Sequence, residues 1–205
     1  GPGLSPRPAP PVVGLDVEWQ PTIYQRRRAQ VVFRLEPWAA RQCDRASLLQ
    51  VATWTHVFLF DLLALCAAPG AALEREADEV LARLFHAPGV VKLGYAFHQD
   101  MSVLRASCPR LRAFARVENL VDVQRLSRAL RRETQADDTG LSECCAQWLG
   151  RPLNKAERMS PWARRPLSPG QLHYAAVDAF CQLQVFEAMA ARAARQEPGG
   201  PERRR

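Results

Sequence analysis

The chain has 205 residues, 47% of them apolar and 24% charged, with a formal net charge of +7. That length suits one domain with tails and is enough to bury a full core. No apolar run is long enough to span a membrane, and the proline-rich start lacks the pattern of a signal peptide. The composition therefore suits a soluble intracellular protein with no membrane partner, nucleus or cytoplasm undecided, and Gly1 suits a fragment of a longer chain. Almost all the positive charge is arginine, with Lys92 and Lys155 the lysines. Arginine forks match phosphate oxygens better than lysine point charges do, so the basic balance is compatible with nucleic acid. Cys43, Cys66, Cys108, Cys144, Cys145 and Cys181 show neither a C-x-x-C pair nor zinc spacing with histidine. Reduced thiols are expected, with Cys66, Cys144, Cys145 and Cys181 as small core residues.

In chain order, residues 1–11 form a flexible Pro-rich lead-in to a domain over 12–194. Val12 to Val17 reads as a short buried strand. Residues 20–45 are an atypical insertion with a basic cluster at Arg26–Arg28, a strand-like piece at Val31–Leu35 and a Pro37–Trp38 break. Leu48–Thr53 and His56–Phe60 read as a β-hairpin turning at Trp54–Thr55. The apolar spacing of Leu73, Ala77, Val80, Leu81 and Leu84 predicts a helix over Leu73–Phe85, stopped by Pro88–Gly89. A strand over Val90–Tyr95 leads into a helix over Phe97–Ser107 with Met101 and Leu104 inward. Val117–Val123 is the last strand, and helices follow at Gln124–Arg131, Leu141–Trp148 and Pro169–Ala194, with a polar loop at Gln135–Gly140. Residues 195–205 read as a disordered basic tail. Strands first, then alternation, then helices describe one α/β domain with a mixed sheet.

Four acids and a tyrosine stand out against that frame. Side chains alternate along a strand, so Asp16 and Glu18 project from the same side. Adjacent carboxylates raise each other's pKa unless a cation lies between them, or they are simply solvated acids where the strand surfaces. Asp100 falls in the first turn of a helix, where the helix dipole favours a carboxylate in any case. Tyr174 and Asp178 are four residues apart on a helix and share one face, and the alanines around them let that face approach a neighbour closely. A buried acid in so apolar a helix needs a partner, and a metal would serve. Hard divalent cations take oxygen ligands, and a pair of them can activate a water and stabilise the leaving oxygen of a phosphodiester. Tyrosine is a poor base at neutral pH, so Tyr174 is expected to orient the attacking water.

The sequence resembles the DEDDy 3′–5′ exonucleases, such as ribonuclease D and the Werner-syndrome exonuclease domain, and most of all the exonuclease domain of Nibbler-like (Mut-seven-type) proteins. Gly14–Trp19 is similar to the family's first motif, Val91–Asp100 to the second and Leu172–Ala179 to the third. The flank Gly150–Pro166, with Leu153-Asn154-Lys155 and Met159-Ser160-Pro161-Trp162, is similar as well. The resemblance implies a ribonuclease H-like, five-stranded mixed sheet flanked by helices. It also implies two Mg²⁺ or Mn²⁺ ions held by Asp16, Glu18, Asp100 and Asp178, with Tyr174 placing the water. The expected substrate is a single-stranded nucleic acid with a free 3′ end, RNA before DNA; protein partners are open. The alternative is a catalytically inactive nucleic-acid-binding or scaffold module on the same fold.

Other residues have plainer readings beside functional ones. Trp19 either stacks on a terminal base or packs in the core. Arg164 and Arg165 are candidates for phosphate contact, and Arg26–Arg28 reads as a solvated charge run. His98 and His173 have no assigned role, Asp122 reads as a helix cap, and Lys155 with Glu157 as a local ion pair.

Overall fold

The structure, a computed structural model, describes residues 9–19, 45–131 and 140–196. The expectations for residues 1–8, 20–44, 132–139 and 197–205 lie outside the described residues. Strands are β1 (Val12–Trp19), β2 (Ala46–Ala52), β3 (Val57–Asp61), β4 (Val91–Gly94) and β5 (Leu120–Asp122). Helices are α1 (Leu62–Leu65), α2 (Ala72–Phe85), α3 (His98–Ser107), α4 (Val123–Arg131), α5 (Leu141–Leu149) and α6 (Pro169–Gln196). The strands form one sheet in the order β3-β2-β1-β4-β5. β1 pairs antiparallel with β2 and parallel with β4, so the sheet is mixed.

Every residue of β2 is buried, because helices cover both faces of the sheet there. On one face Val13, Leu15, Val17, Leu49 and Val51 pack under α2 and α3, against Leu81, Phe85, Met101 and Leu104. On the other, Ala52 and Leu93 meet Ala179, Leu183 and Val185 of α6 and Cys144 and Cys145 of α5. The β2–β3 turn is closed by Thr53, whose hydroxyl accepts from the His56 N–H at 3.0 Å. Cys108, Cys144, Cys145 and Cys181 are buried and Cys66 is half-buried, all five as free thiols.

Two strands are shorter than their apolar runs. β4 stops at Gly94 because Ala96 takes a positive φ of 52°, turning the chain into α3. Asn119, also at φ 52°, breaks the run of Val117–Val123 and leaves only Leu120–Asp122 as strand.

The apolar positions of α2 do not all face inward. Leu73 and Val80 are exposed, at 59% and 49%, whereas Ala77, Leu81 and Leu84 pack against the core with Phe85, and Glu74 and Asp78 are buried beside them. The acids can point inward because the 110–113 segment supplies donors. Glu74 accepts from Arg110 Nε at 2.9 Å, and Asp78 accepts from Arg112 Nε at 3.0 Å and the Ala113 N–H at 2.8 Å. Charge-assisted bonds offset the desolvation of the two carboxylates. Asp78→Ala strands the buried Ala113 N–H, at a cost of about 1–3 kcal/mol. The expected result is a fall in Tm of roughly 2–12 °C in a thermal melt.

The entry of α6 is pinned by a reciprocal cap. Ser168 Oγ accepts from the Gln171 N–H at 3.1 Å, while Gln171 Oε1 accepts from the Ser168 N–H at 2.9 Å. Pro169 follows in the first turn, where its missing N–H is harmless. Gln171 also donates to Ser160 Oγ at 2.8 Å, tying the helix start to the preceding loop.

Candidate active site

β1 outruns its parallel neighbour. The β1–β4 register ends at Leu15 opposite Gly94, so Asp16 to Trp19 continue past the end of β4, paired only with β2. That edge, at the C-terminal ends of the parallel strands, is where open α/β sheets bind ligands. A side chain on Gly14 would place its Cβ 2.2 Å from the Ala179 carbonyl oxygen, so the α6 backbone lies directly on β1. Ala175 and Ala179 are fully buried at this crossing. Gln182 fastens it, donating from Nε2 to the Leu15 carbonyl at 2.7 Å.

This close crossing brings Asp178 to the end of β1. One carboxylate oxygen from each of Asp16, Glu18 and Asp178 lies within 4.8 Å of the others. Asp100 reaches the same place from the first turn of α3, aimed by the sharp turn at Ala96. All four acids and Tyr174 line one cavity of about 250 Å³, together with Trp19, Tyr95, Gln99, Arg158 and Met159. Tyr174, one turn before Asp178 on α6, lines the same cavity beside the Asp178 carboxylate.

Glu18, Asp100 and Asp178 are buried and Asp16 is half-buried. Burial, with repulsion from Glu18, Asp178 and Asp100, pushes the Asp16 carboxyl well above the carboxylate range. Glu18 is raised by burial and by Asp178 and Asp100. Burial lifts Asp100 to about 7, and it lifts Asp178 to about 6 against the opposing Tyr174 hydrogen bond. Burial and the carboxylates of Asp178 and Glu18 move the Tyr174 hydroxyl further from ionisation, so it remains a donor at neutral pH. The donor set consists of carboxylate oxygens alone, which fits a hard divalent cation such as Mg²⁺ or Mn²⁺ and offers nothing to a soft one.

The remaining candidates separate by their partners. Arg165 has all five N–H groups engaged: Nε and Nη2 fork onto Asp61 at 2.6 and 2.8 Å, and the others donate to the carbonyls of Trp162, Arg164 and Ser47. It has no donor left for a phosphate, and it clamps the 162–165 segment to the end of β3. Arg164 is exposed. Trp19 both lines the cavity and packs against the core. Lys155 pairs with Glu143 at 2.7 Å, not with Glu157. Asp122 caps α4, accepting from the Gln124 and Arg125 N–H groups at 2.9 and 3.2 Å. His98 and His173 are exposed, and His173 borders a second cavity of about 520 Å³ beside Tyr174 and Asp178.

Two nearby residues went unread in the sequence. Arg158 faces the acids, and its charge lowers the pKa of both Glu18 and Asp178. The available signal was an arginine lying between the two resembling tracts of the 150–166 flank. Gln50, directly opposite Asp16 on β2, is fully buried, and among the described residues neither of its amide atoms has a partner. Its signal was a lone amide inside an apolar strand.

A mixed five-stranded sheet with acids gathered where the parallel strands end defines a ribonuclease H-like domain of the nuclease class. The 3′–5′ exonuclease family model matches residues 36–193, and the chain belongs to that family. The matched range begins beyond β1, so Asp16 and Glu18 enter the site through geometry. The human exonuclease mut-7 homolog is 37% identical over 90% of this chain, which spans 20% of that protein's length. Ribonuclease D of Acidiphilium cryptum is 31% identical over 57% of the chain and 28% of its own length. The crystal structure of the Aedes aegypti Nibbler EXO domain superposes with a TM-score of 0.69 at 26% identity, covering 93% of this chain and 82% of that one. Among the described residues, no helix is long and apolar enough to cross a membrane.

Proposed function

We propose that this chain removes nucleotides one at a time from the free 3′ end of a single-stranded nucleic acid, RNA before DNA, with Mg²⁺ or Mn²⁺ at the acidic cluster. The observation that carries this reading is the meeting of Asp16, Glu18 and Asp178 within 4.8 Å, in a pocket that burial makes hostile to uncompensated charge. Such crowding is unfavourable in a metal-free protein and is relieved by cations. Asp16, Glu18, Asp100 and Asp178 would hold two divalent ions, which when bound supply a nucleophilic water and neutralise developing charge on the phosphate oxygens. Tyr174, beside Asp178 in the cavity and held protonated, orients the attacking water by hydrogen bonding. The Aedes relative's EXO domain and the relative named ribonuclease D support the reaction class and the preference for RNA.

The test is mononucleotide release from single-stranded RNA and DNA oligonucleotides whose 3′ ends are free or blocked, with Mn²⁺ or with chelator. Release from free ends alone, dependent on Mn²⁺ and faster on RNA, is the expected result. Binding without release assigns the chain instead to a non-hydrolytic binding module. The pH dependence follows from the raised carboxyls. Protons compete with metal as pH falls through about 7 at Asp100 and about 6 at Asp178. At subsaturating Mn²⁺ the rate is therefore expected to start falling near pH 7 and to approach about tenfold per pH unit for each proton displaced only below about pH 6. At saturating Mn²⁺ the fall shifts to lower pH.

A further inference from the structure

Five cations, Arg151, Lys155, Arg158, Arg164 and Arg165, occupy the segment leading into α6, and two of them are committed to protein partners. Lys155 is held by Glu143, and Arg165 has spent every donor on Asp61 and backbone carbonyls. Arg158 is different: among the described residues its guanidinium has no hydrogen-bond or ion-pair partner, yet its charge reaches Glu18 and Asp178. It borders the cavity that holds the four acids and also a neighbouring one of about 230 Å³, and Asp16, Tyr95, Tyr174 and Asp178 are common to both. Its backbone is pinned. The Arg158 N–H bonds Lys155 O at 3.2 Å, the Ser160 N–H bonds Glu157 O at 2.9 Å, and Trp162 is fully buried just beyond.

We propose that Arg158 is the phosphate-gripping residue of the site, forking onto the backbone phosphate at the bond to be cut, where the chain passes between the two cavities. The proposal rests on the exonuclease reading for its substrate. A group of four carboxylates repels a polyanion, and a guanidinium beside them with no partner among the described residues supplies the opposite field at the point of approach. A planar fork satisfies two phosphate oxygens at once, which an ammonium does not. Its backbone is already held in a turn, so binding costs only the ordering of the exposed side chain.

The experiment compares the intact chain with Arg158→Gln and Arg158→Lys. Arg158→Gln is expected to raise KM for single-stranded RNA about 10- to 100-fold in Mn²⁺. It is also expected to reduce the slope of log K against log salt by about 0.7, measured as RNA binding in Ca²⁺. Arg158→Lys restores that slope but not the full KM, because charge returns without the fork. Mn²⁺ affinity, measured without RNA, is expected to rise modestly, because the Arg158 charge beside Glu18 and Asp178 no longer repels the cation, so the loss of RNA binding is what carries the test. Unchanged KM and slope in Arg158→Gln overturn the proposal. So does tighter Mn²⁺ binding with unaltered RNA binding, which would make Arg158 only a counter-ion for the acids. If the parent chain binds RNA but releases nothing, the exonuclease reading fails, while the salt slope still decides the role of Arg158.

Discussion

Asp16→Asn is expected to abolish nucleotide release, by about 10³-fold or more, while making the metal-free protein harder to unfold. The first effect follows because Asp16 lies against both Glu18 and Asp178 and is the carboxylate that three other acids repel. Removing one preorganised charge from such a centre removes stabilisation where the transition state needs it. The second effect has the opposite sign, and it marks a functional cluster rather than a structural one. A carboxyl whose pKa is raised on folding holds its proton in the native chain after the unfolded chain has lost it. Stability is then greatest at low pH and is lost as pH rises through the folded value. For Asp100, near 7, and Asp178, near 6, against the ordinary 3.8, the metal-free protein loses stability from about pH 4 to pH 7. Asp16→Asn removes a repelling neighbour from the cluster and flattens that decline. Thermal melts in chelator should give a higher Tm than the parent at pH 8, with the difference shrinking at pH 5. A lower Tm at pH 8 would show that Asp16 is held by partners that stabilise its charge, and it would remove the basis for a cation site.

Gly14→Ala is expected to damage both stability and activity. Its Cβ would stand 2.2 Å from the Ala179 carbonyl oxygen, a backbone atom that cannot swing aside as a side-chain tip can. Either β1 or α6 must move, and overpacking of this kind costs about 1–3 kcal/mol or more. The same movement separates Asp178 from Asp16 and Glu18 and pulls Gln182 from the Leu15 carbonyl. A misplacement of about 1 Å at a reacting centre can cost about 100-fold in rate. Tm and Mn²⁺-dependent release should therefore fall together, and excess Mn²⁺ should recover part of the release. Activity at the parent level would mean that the contact between β1 and α6 does not set the position of Asp178.

The acids were legible from local pattern alone: D-x-E at the end of an apolar strand, an acid in the first turn after the next buried strand, and tyrosine and aspartate one turn apart on an alanine-lined helix. Alternation and the 3.6-residue period place those side chains whatever surrounds them. The buried acids of α2 were not legible, because Glu74 and Asp78 turn inward only when Arg110, Arg112 and the Ala113 N–H wait there, some thirty-five residues away. The commitment of Arg165 was not legible for the same reason. Arg165 looked available in one dimension, and Asp61 and Ser47, over a hundred positions earlier, consume it.

What the sequence determined by itself is periodicity and residue chemistry: a mixed α/β order, an inventory of oxygen ligands, and glycine and alanine where two elements must nearly touch. Only the tertiary structure decided which charges are spent and which are left over. Pairing across the fold is a matter of a few ångströms between groups far apart in the chain, and no local pattern carries that distance. Asp16, Glu18 and Asp178 are brought together by a missing Cβ at Gly14, and among the described residues Glu143 and Asp61 take up Lys155 and Arg165 while the Arg158 guanidinium is left without a partner.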